Sequence, residues 1–171
     1  HAYKCDITDY ATVADTVARF EAAAGPVDGL VNNAGWDKSI RFIDTDPEFW
    51  RKVVDINLYG PLNLSHVVLK GMAERCRGRI VNIASDAGRV GSSGEAVYSA
   101  CKGGIIAFGK TVARELTRKG ITVNTLCPGP TRTRPLAGQD EKLVAALVRA
   151  IPMRRLDEPE DYAGLVSFFL S

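Results

Sequence analysis

Tyr98 and Lys102 stand four residues apart in the run Tyr98-Ser99-Ala100-Cys101-Lys102. On a helix that spacing puts both on one face, with Cβ atoms about 5–6 Å apart. A phenol ordinarily titrates near ~10, and a neighbouring ammonium can lower that by roughly 1–3 units. The pair is therefore expected to supply a phenol that exchanges a proton near neutral pH. Ser85 precedes the tyrosine across a Gly/Ser-rich stretch, and its hydroxyl can bond an oxygen that the phenol also touches. Taken alone, Ser85 also reads as a turn serine at a strand end. Asn57 falls inside a helical pattern, Asp55-Ile56-Asn57-Leu58-Tyr59-Gly60, although Asn favours caps and turns. Either a distant group uses its side chain, or it is a surface or kink-stabilising Asn.

Other chemistries are poorly provided for. The histidines are His1 and His66, and Leu64, Val67 and Val68 around the second make it a helix-surface or packed residue. A Ser-His-Asp triad would depend on it. Cysteines at 5, 76, 101 and 127 show no C-x-x-C spacing, the pattern of reduced thiols in a cytoplasm, and no clustered zinc ligands accompany them. A net charge of +2 gives no basic surface for nucleic acid or membrane, and a small-molecule substrate is the expected partner. Apolar runs end well before membrane-spanning length. With 171 residues, 46% of them hydrophobic, the chain suits a single domain over 1–171.

The elements that must position these residues alternate along the chain. Residues 10–24 carry Val13, Val17 and Phe20 on one stripe, with Asp9 as cap and Gly25-Pro26 as stop. Residues 3–5 and 27–31 read as strands. A helix beginning at Asp46-Pro47-Glu48 runs to about Arg75, with a disturbance expected at Gly60-Pro61. A strand over 79–84 leads through a loop, 85–95, to a helix over 96–119 ending at Lys119-Gly120. A strand over 121–126 and helices over 139–150 and 158–170 complete the pattern. Such alternation predicts an α/β, doubly wound parallel sheet. Ligands of these sheets sit outside the carboxyl ends of the strands. Asn32–Gly35, Ser85–Ala87 and Pro128–Thr133 all stand at such ends, so one shared crevice is expected.

Together the run N-N-A-G at 32–35, I-N at 56–57, Ser85, Tyr98-x-x-x-Lys102 and P-G-P-T-R-T at 128–133 resembles the short-chain dehydrogenase/reductase family. Asp6 in C-D-I-T-D fits the same family, and the likeness covers the whole chain. It implies a Rossmann-like oxidoreductase that interconverts a secondary alcohol and a ketone with NAD or NADP, NAD being favoured. Tyr98 would be the general acid/base. Lys102 would tune it and hold the nicotinamide ribose, Ser85 would fix the substrate oxygen, and Asn57 would anchor a water behind Lys102. Asp6 and Ile7 would face the adenine side, and Asn32, Ala34 and Gly35 the adenosine ribose. Pro128, Gly129, Thr131 and Thr133 would hold the carboxamide.

The stretches 32–38 and 78–104 further resemble family members acting on alicyclic hydroxyacyl-CoA thioesters. Arg132, Arg134, Arg154 and Arg155 around the loop after Thr133 are then either contacts for CoA phosphates or ordinary solvated charges. A 3-oxoacyl reductase and a non-catalytic dinucleotide-binding scaffold are the alternatives. The resemblance also implies a cytoplasmic homotetramer packed through helices 47–75 and 96–119. Trp50, Val54, Ile106 and Phe108 there are either interface or core. It places the family's glycine-rich turn before His1 and its last strand after Ser171. The chain is accordingly expected to be truncated at both ends, to fold poorly alone and to hold no dinucleotide by itself.

Overall fold

The computed structural model describes residues 1–133 and 141–171. Its sheet has three parallel strands in the order β1 (Gly29–Asn32), β2 (Gly78–Ile83), β3 (Ile121–Leu126). Leu30 pairs with Ile80, and Ile80 with Val123. Parallel neighbours require crossover helices, and the chain supplies them.

Helix α1 (Tyr10–Ala24) opens with the Asp9 carboxylate accepting the Thr12 N–H and stops at Gly25, whose φ of 88° suits glycine. Helix α2 (Pro47–Val54) starts from Asp46, whose carboxylate accepts the Phe49 N–H. It continues through a π-helical turn, Asp55–Tyr59, into α3 (Gly60–Arg75). The disturbance expected at Gly60-Pro61 thus falls one turn earlier. Pro61 has no N–H to give the carbonyl four residues back, so the turn that suffers is the one before it.

Side chains alternate across the strands, and the two faces meet different helices. Ile80 and Ile121 join Val68 and Met72 of α3 in the core, with Val17 of α1, Leu30, Val123 and Leu116 packed around them. Gly29 points the other way, where Leu170 of α7 (Glu160–Leu170) lies 3.3 Å from the place a Cβ would take. Helices therefore cover both faces, and the architecture is doubly wound α/β. Each fully buried Val, Ile or Met side chain in this core contributes about 1.5–3 kcal/mol.

Two sequence expectations are corrected. Residues 3–5 form no strand. A lone extended segment lacks ladder partners, and among the described residues β1 pairs only with β2. Tyr3 instead packs edge-on against Phe20. The loop 85–95 contains a short helix, α4 (Ala87–Val90), which packs on α5 (Ala96–Leu116). Bare backbone at Gly88 permits this approach, because a Cβ there would lie 2.6 Å from the Lys102 carbonyl carbon. Helix α6 (Glu141–Ala150) matches the later part of the helix expected over 139–150, whose first two residues lie outside the described residues.

Candidate active site

The carboxyl ends of all three strands carry the residues that the sequence singled out. Ser85 follows β2, and its Oγ accepts the Ala87 N–H at 3.2 Å. Tyr98 lies in the first turn of α5, with the Ser85 hydroxyl near enough to act on its phenol. One turn on, Lys102 is 4% exposed, and its ammonium donates to the Ile83 carbonyl at 2.9 Å. That ammonium stands 5.4 Å from the Tyr98 ring centroid. Ser85, Tyr98 and Lys102 are thus brought together as expected.

Their electrostatics differ from the sequence expectation. Burial pushes the Tyr98 phenol above its ordinary value; the Ser85 hydroxyl opposes this, while Glu95 and Asp37 add to it. Burial pushes the Lys102 ammonium down. The lowering of the phenol expected from Lys102 is not seen: burial is the largest influence on the phenol, and one N–H of the ammonium goes to the Ile83 carbonyl.

Asn57 is fully buried at the π-helical turn. Its amide donates to the Trp36 carbonyl at 2.6 Å and the Val53 carbonyl at 2.9 Å, and its oxygen accepts the Trp36 N–H at 3.2 Å. The distant user of this side chain is therefore the loop after β1, held down over Lys102. Gly35 in that loop has no Cβ for good reason: one would stand 3.0 Å from Asn57 Oδ1 and 3.6 Å from Lys102 Nζ.

Asn32 is turned inward, donating to Ser65 Oγ at 3.0 Å and Asn82 Oδ1 at 2.8 Å. It ties β1, β2 and α3 together, so only its backbone can face a ribose. Ile7, Asn32 and Ala34, with Val31, Pro61 and Leu64, line a cavity of about 50 Å³. The Ile7 carbonyl accepts from Asn63 at 3.0 Å, which fixes this corner to α3. Asp6 is exposed, its carboxylate taking the Thr8 N–H and hydroxyl, which lower its pKa.

Beyond β3, Pro128 accepts the Asp86 N–H at 2.9 Å, and Thr131 donates to the Gly129 carbonyl at 3.0 Å. Thr131 and Asp157 form a parallel bridge, so residues 128–133 are clamped to the chain entering α7. Thr133 is exposed. The arginines are mostly engaged locally: Arg132 with Glu158 at 2.8 Å, Arg155 with Asp161 at 2.6 Å, and Arg154 with the Arg149 carbonyl. Arg134 and the rest of the loop to 140 lie outside the described residues. Among the described residues no group of His, Cys, Asp and Glu could hold a metal, and no helix is long and apolar enough to cross a membrane.

Sequence reasoning missed Asp37 and Glu95. The Ile40 N–H donates to the Gly94 carbonyl at 2.9 Å, zipping the loop after β1 onto the segment entering α5. Between them lies a cleft lined by Asp37, Ile40, Phe42, Phe49, Glu95 and Val97. Asp37 Oδ2 is buried there with no hydrogen-bond partner. Burial raises the Asp37 pKa to about 6; the Lys38 N–H opposes the rise and Glu95 adds to it. The available signal was position alone, Asp37 two residues past N-N-A-G and Glu95 three before Tyr98.

The charge on Asp37 costs stability. Its folded pKa lies above the unfolded value, so the folded state binds more protons between about 4 and 6, and stability falls as pH rises through that window. At neutral pH the cost is fully present, about 1 kcal/mol after discounting for solvent on this half-exposed group. Asp37→Asn should raise Tm at pH 7 by about 2–4 °C, with the gain vanishing near pH 4. Calorimetry showing a lower Tm at neutral pH would refute it.

A crevice with a half-buried tyrosine beside a buried lysine, a serine hydroxyl and a bare-backbone cradle fits an oxidoreductase that holds a dinucleotide and exchanges one proton. A family model described as enoyl-(acyl carrier protein) reductase matches residues 1–171. Acetoacetyl-CoA reductase of Shinella zoogloeoides is 42% identical over 99% of this chain and 70% of the relative. A 3-oxoacyl-(acyl-carrier-protein) reductase of Vibrio cholerae is 37% identical over 86% of this chain and 60% of its own. The solved structure titled "ElxO with NADP Bound" superposes with a TM-score of 0.93 at 28% identity, covering 99% of this chain and 70% of that one. The chain belongs to the short-chain dehydrogenase/reductase family. It is an oxidoreductase of alcohol and keto groups, working with NAD or NADP on a small-molecule substrate.

Proposed function

We propose that the protein interconverts a 3-oxoacyl thioester and its 3-hydroxy form, with NADP as the preferred dinucleotide. The carrying observation is the grouping of Tyr98 with the buried Lys102, whose ammonium stands 5.4 Å from the Tyr98 ring centroid, and with Ser85 at the end of β2. The substrate class is supported by the likeness to acetoacetyl-CoA and 3-oxoacyl reductases, and the dinucleotide by the NADP held by the structural neighbour.

In this reading the dinucleotide supplies or accepts the hydride. Ser85 fixes the substrate oxygen by a hydrogen bond. Tyr98 gives its proton to that oxygen in reduction and takes it back in oxidation. Lys102 bears on the phenol and holds the ribose hydroxyls. Asn57 has no side-chain donor to spare, so a water behind Lys102 is anchored by its backbone carbonyl, to which Pro61 offers no N–H. Asp6, Ile7, Ala34 and the backbone of Asn32 serve the adenosine side, with Gly35 beside Lys102. Pro128, Gly129, Thr131 and Thr133 serve the carboxamide. We also infer one domain over 1–171, a cytoplasmic location and a homotetramer. The last is supported by the half-covered Trp50, Val54, Ile106 and Phe108 on the long helices.

The stretches 32–38 and 78–104, which resemble 2-hydroxycyclohexanecarboxyl-CoA dehydrogenase, favour a second reading, an alicyclic hydroxyacyl-CoA with NAD. Reduced-nicotinamide absorbance decides between them, using acetoacetyl-CoA and 2-oxocyclohexanecarboxyl-CoA with NADPH and NADH on the full-length protein. The larger kcat/KM is expected for acetoacetyl-CoA with NADPH. A larger value for the alicyclic ketone with NADH would replace the first reading by the second. Firm dinucleotide binding without turnover of either would favour a scaffold.

A further inference from the structure

The turn after β3 is held from two sides. Toward β2, the Pro128 carbonyl accepts the N–H of Asp86, the residue next to Ser85, at 2.9 Å. Toward α7, Asp157 bridges Thr131: its carbonyl accepts the Arg132 N–H at 2.8 Å, and its N–H donates to the Pro130 carbonyl at 3.1 Å. Side chains close the same seam. The Tyr162 hydroxyl, in the first turn of α7, donates to the Asp157 carboxylate, and its oxygen lies 3.4 Å from Thr131 Oγ1. Asp157 Oδ2 also stands 3.3 Å from the place a Cβ on Gly129 would take, so the carboxylate lies close against the bare backbone of the turn. Each hydroxyl has one hydrogen to give. Tyr162 spends its own on Asp157, so toward Thr131 it acts as an acceptor. The Thr131 hydrogen goes to Tyr162 or to the Gly129 carbonyl, and that side chain works as a strut.

We propose that Tyr162, acting through Asp157 and Thr131, is a positioning residue for the nicotinamide end of the dinucleotide, fixing the 128–131 turn in the place from which it holds the carboxamide. The proposal rests on the reading given above that this turn serves the carboxamide. A group that must be held to within about half an ångström needs support from a rigid element. Helix α7 is one, because its far end, Leu170, packs against Gly29 of β1. The turn is thereby referred to the sheet that also carries Ser85. Burial, and after it the bond to Asp157, holds the Tyr162 hydroxyl above its ordinary value against the opposing Thr131, so it remains a donor at neutral pH.

The test separates the nicotinamide end from the rest of the dinucleotide. Equilibrium binding to the full-length protein is measured by calorimetry for NADPH and NADH, each beside the matching ADP-ribose fragment that lacks the nicotinamide. Wild type should bind each dinucleotide more firmly than its fragment. Tyr162→Phe removes one oxygen and keeps the ring. It should weaken the dinucleotides by about threefold to tenfold and leave the fragments unchanged. Asp157→Ala should do the same, whereas Asp157→Asn, whose amide oxygen can still accept from Tyr162, should keep most of the affinity. Equal weakening of dinucleotide and fragment would reduce Tyr162 to a structural role and overturn the proposal. So would a wild-type preference that survives in Tyr162→Phe. A wild type that binds fragment and dinucleotide alike would overturn the reading of the 128–131 turn, and the proposal with it.

Discussion

Tyr98→Phe is expected to lower kcat by a factor of about 10²–10⁴ in both directions while leaving dinucleotide affinity unchanged. The substitution removes one oxygen and keeps the ring, so the stacking volume beside Lys102 is preserved. What disappears is the phenolic hydroxyl, the group on which Ser85 acts. The direction of its pKa shift adds a second signature. Burial holds the phenol protonated through neutrality, so reduction, which consumes the phenolic proton, should be flat with pH up to the alkaline range. Oxidation needs the phenolate and should climb with pH over the same range. A variant that keeps its kcat, or wild-type oxidation independent of pH, would remove Tyr98 from the proton-transfer step.

Gly88→Ala carries the largest expected structural effect. The added Cβ would meet the Lys102 carbonyl carbon at 2.6 Å, the Gly103 nitrogen at 2.7 Å and Lys102 Cβ at 2.9 Å. Two of these are backbone atoms of α5 and cannot rotate aside. Helix α4 must therefore lift away, at a cost of about 1–3 kcal/mol, and Tm should fall by about 3–10 °C. Lys102 would lose its seating at the same time, so kcat should fall more than the unfolded fraction explains. Gly164→Ala is the control, since nothing lies within 4 Å of its added Cβ and the helix it occupies prefers Ala. Equal Tm for Gly88→Ala and wild type would show that α4 is not held against α5 as described.

The two predictions draw on different parts of the chain's information. Tyr98, Lys102 and Ser85 were legible because a four-residue helical spacing and a strand-end position are local facts. Asp9 and Asp46 announced α1 and α2 for the same reason, since a capping carboxylate acts within three residues of itself. Asn57 was legible as an anomaly, a poor helix former in mid-helix, but its partner Trp36 lies 21 residues away. No pattern along the chain connects those two. Helix α4 was invisible in a Gly/Ser-rich stretch, because its seat is the backbone of α5.

By itself, then, the sequence determined the three paired strands and the longer helices, which residues stand at the carboxyl ends of the strands, and which pair could handle a proton. Caps, periodicity and i to i+4 spacing are properties of neighbouring residues. Only the tertiary structure decided that Asn32 turns inward to Asn82, that one Asp37 oxygen is buried without a partner, and that the Tyr98 phenol shifts up rather than down. Those outcomes depend on how much water and which carbonyls surround a group. Segments far apart in the chain supply both.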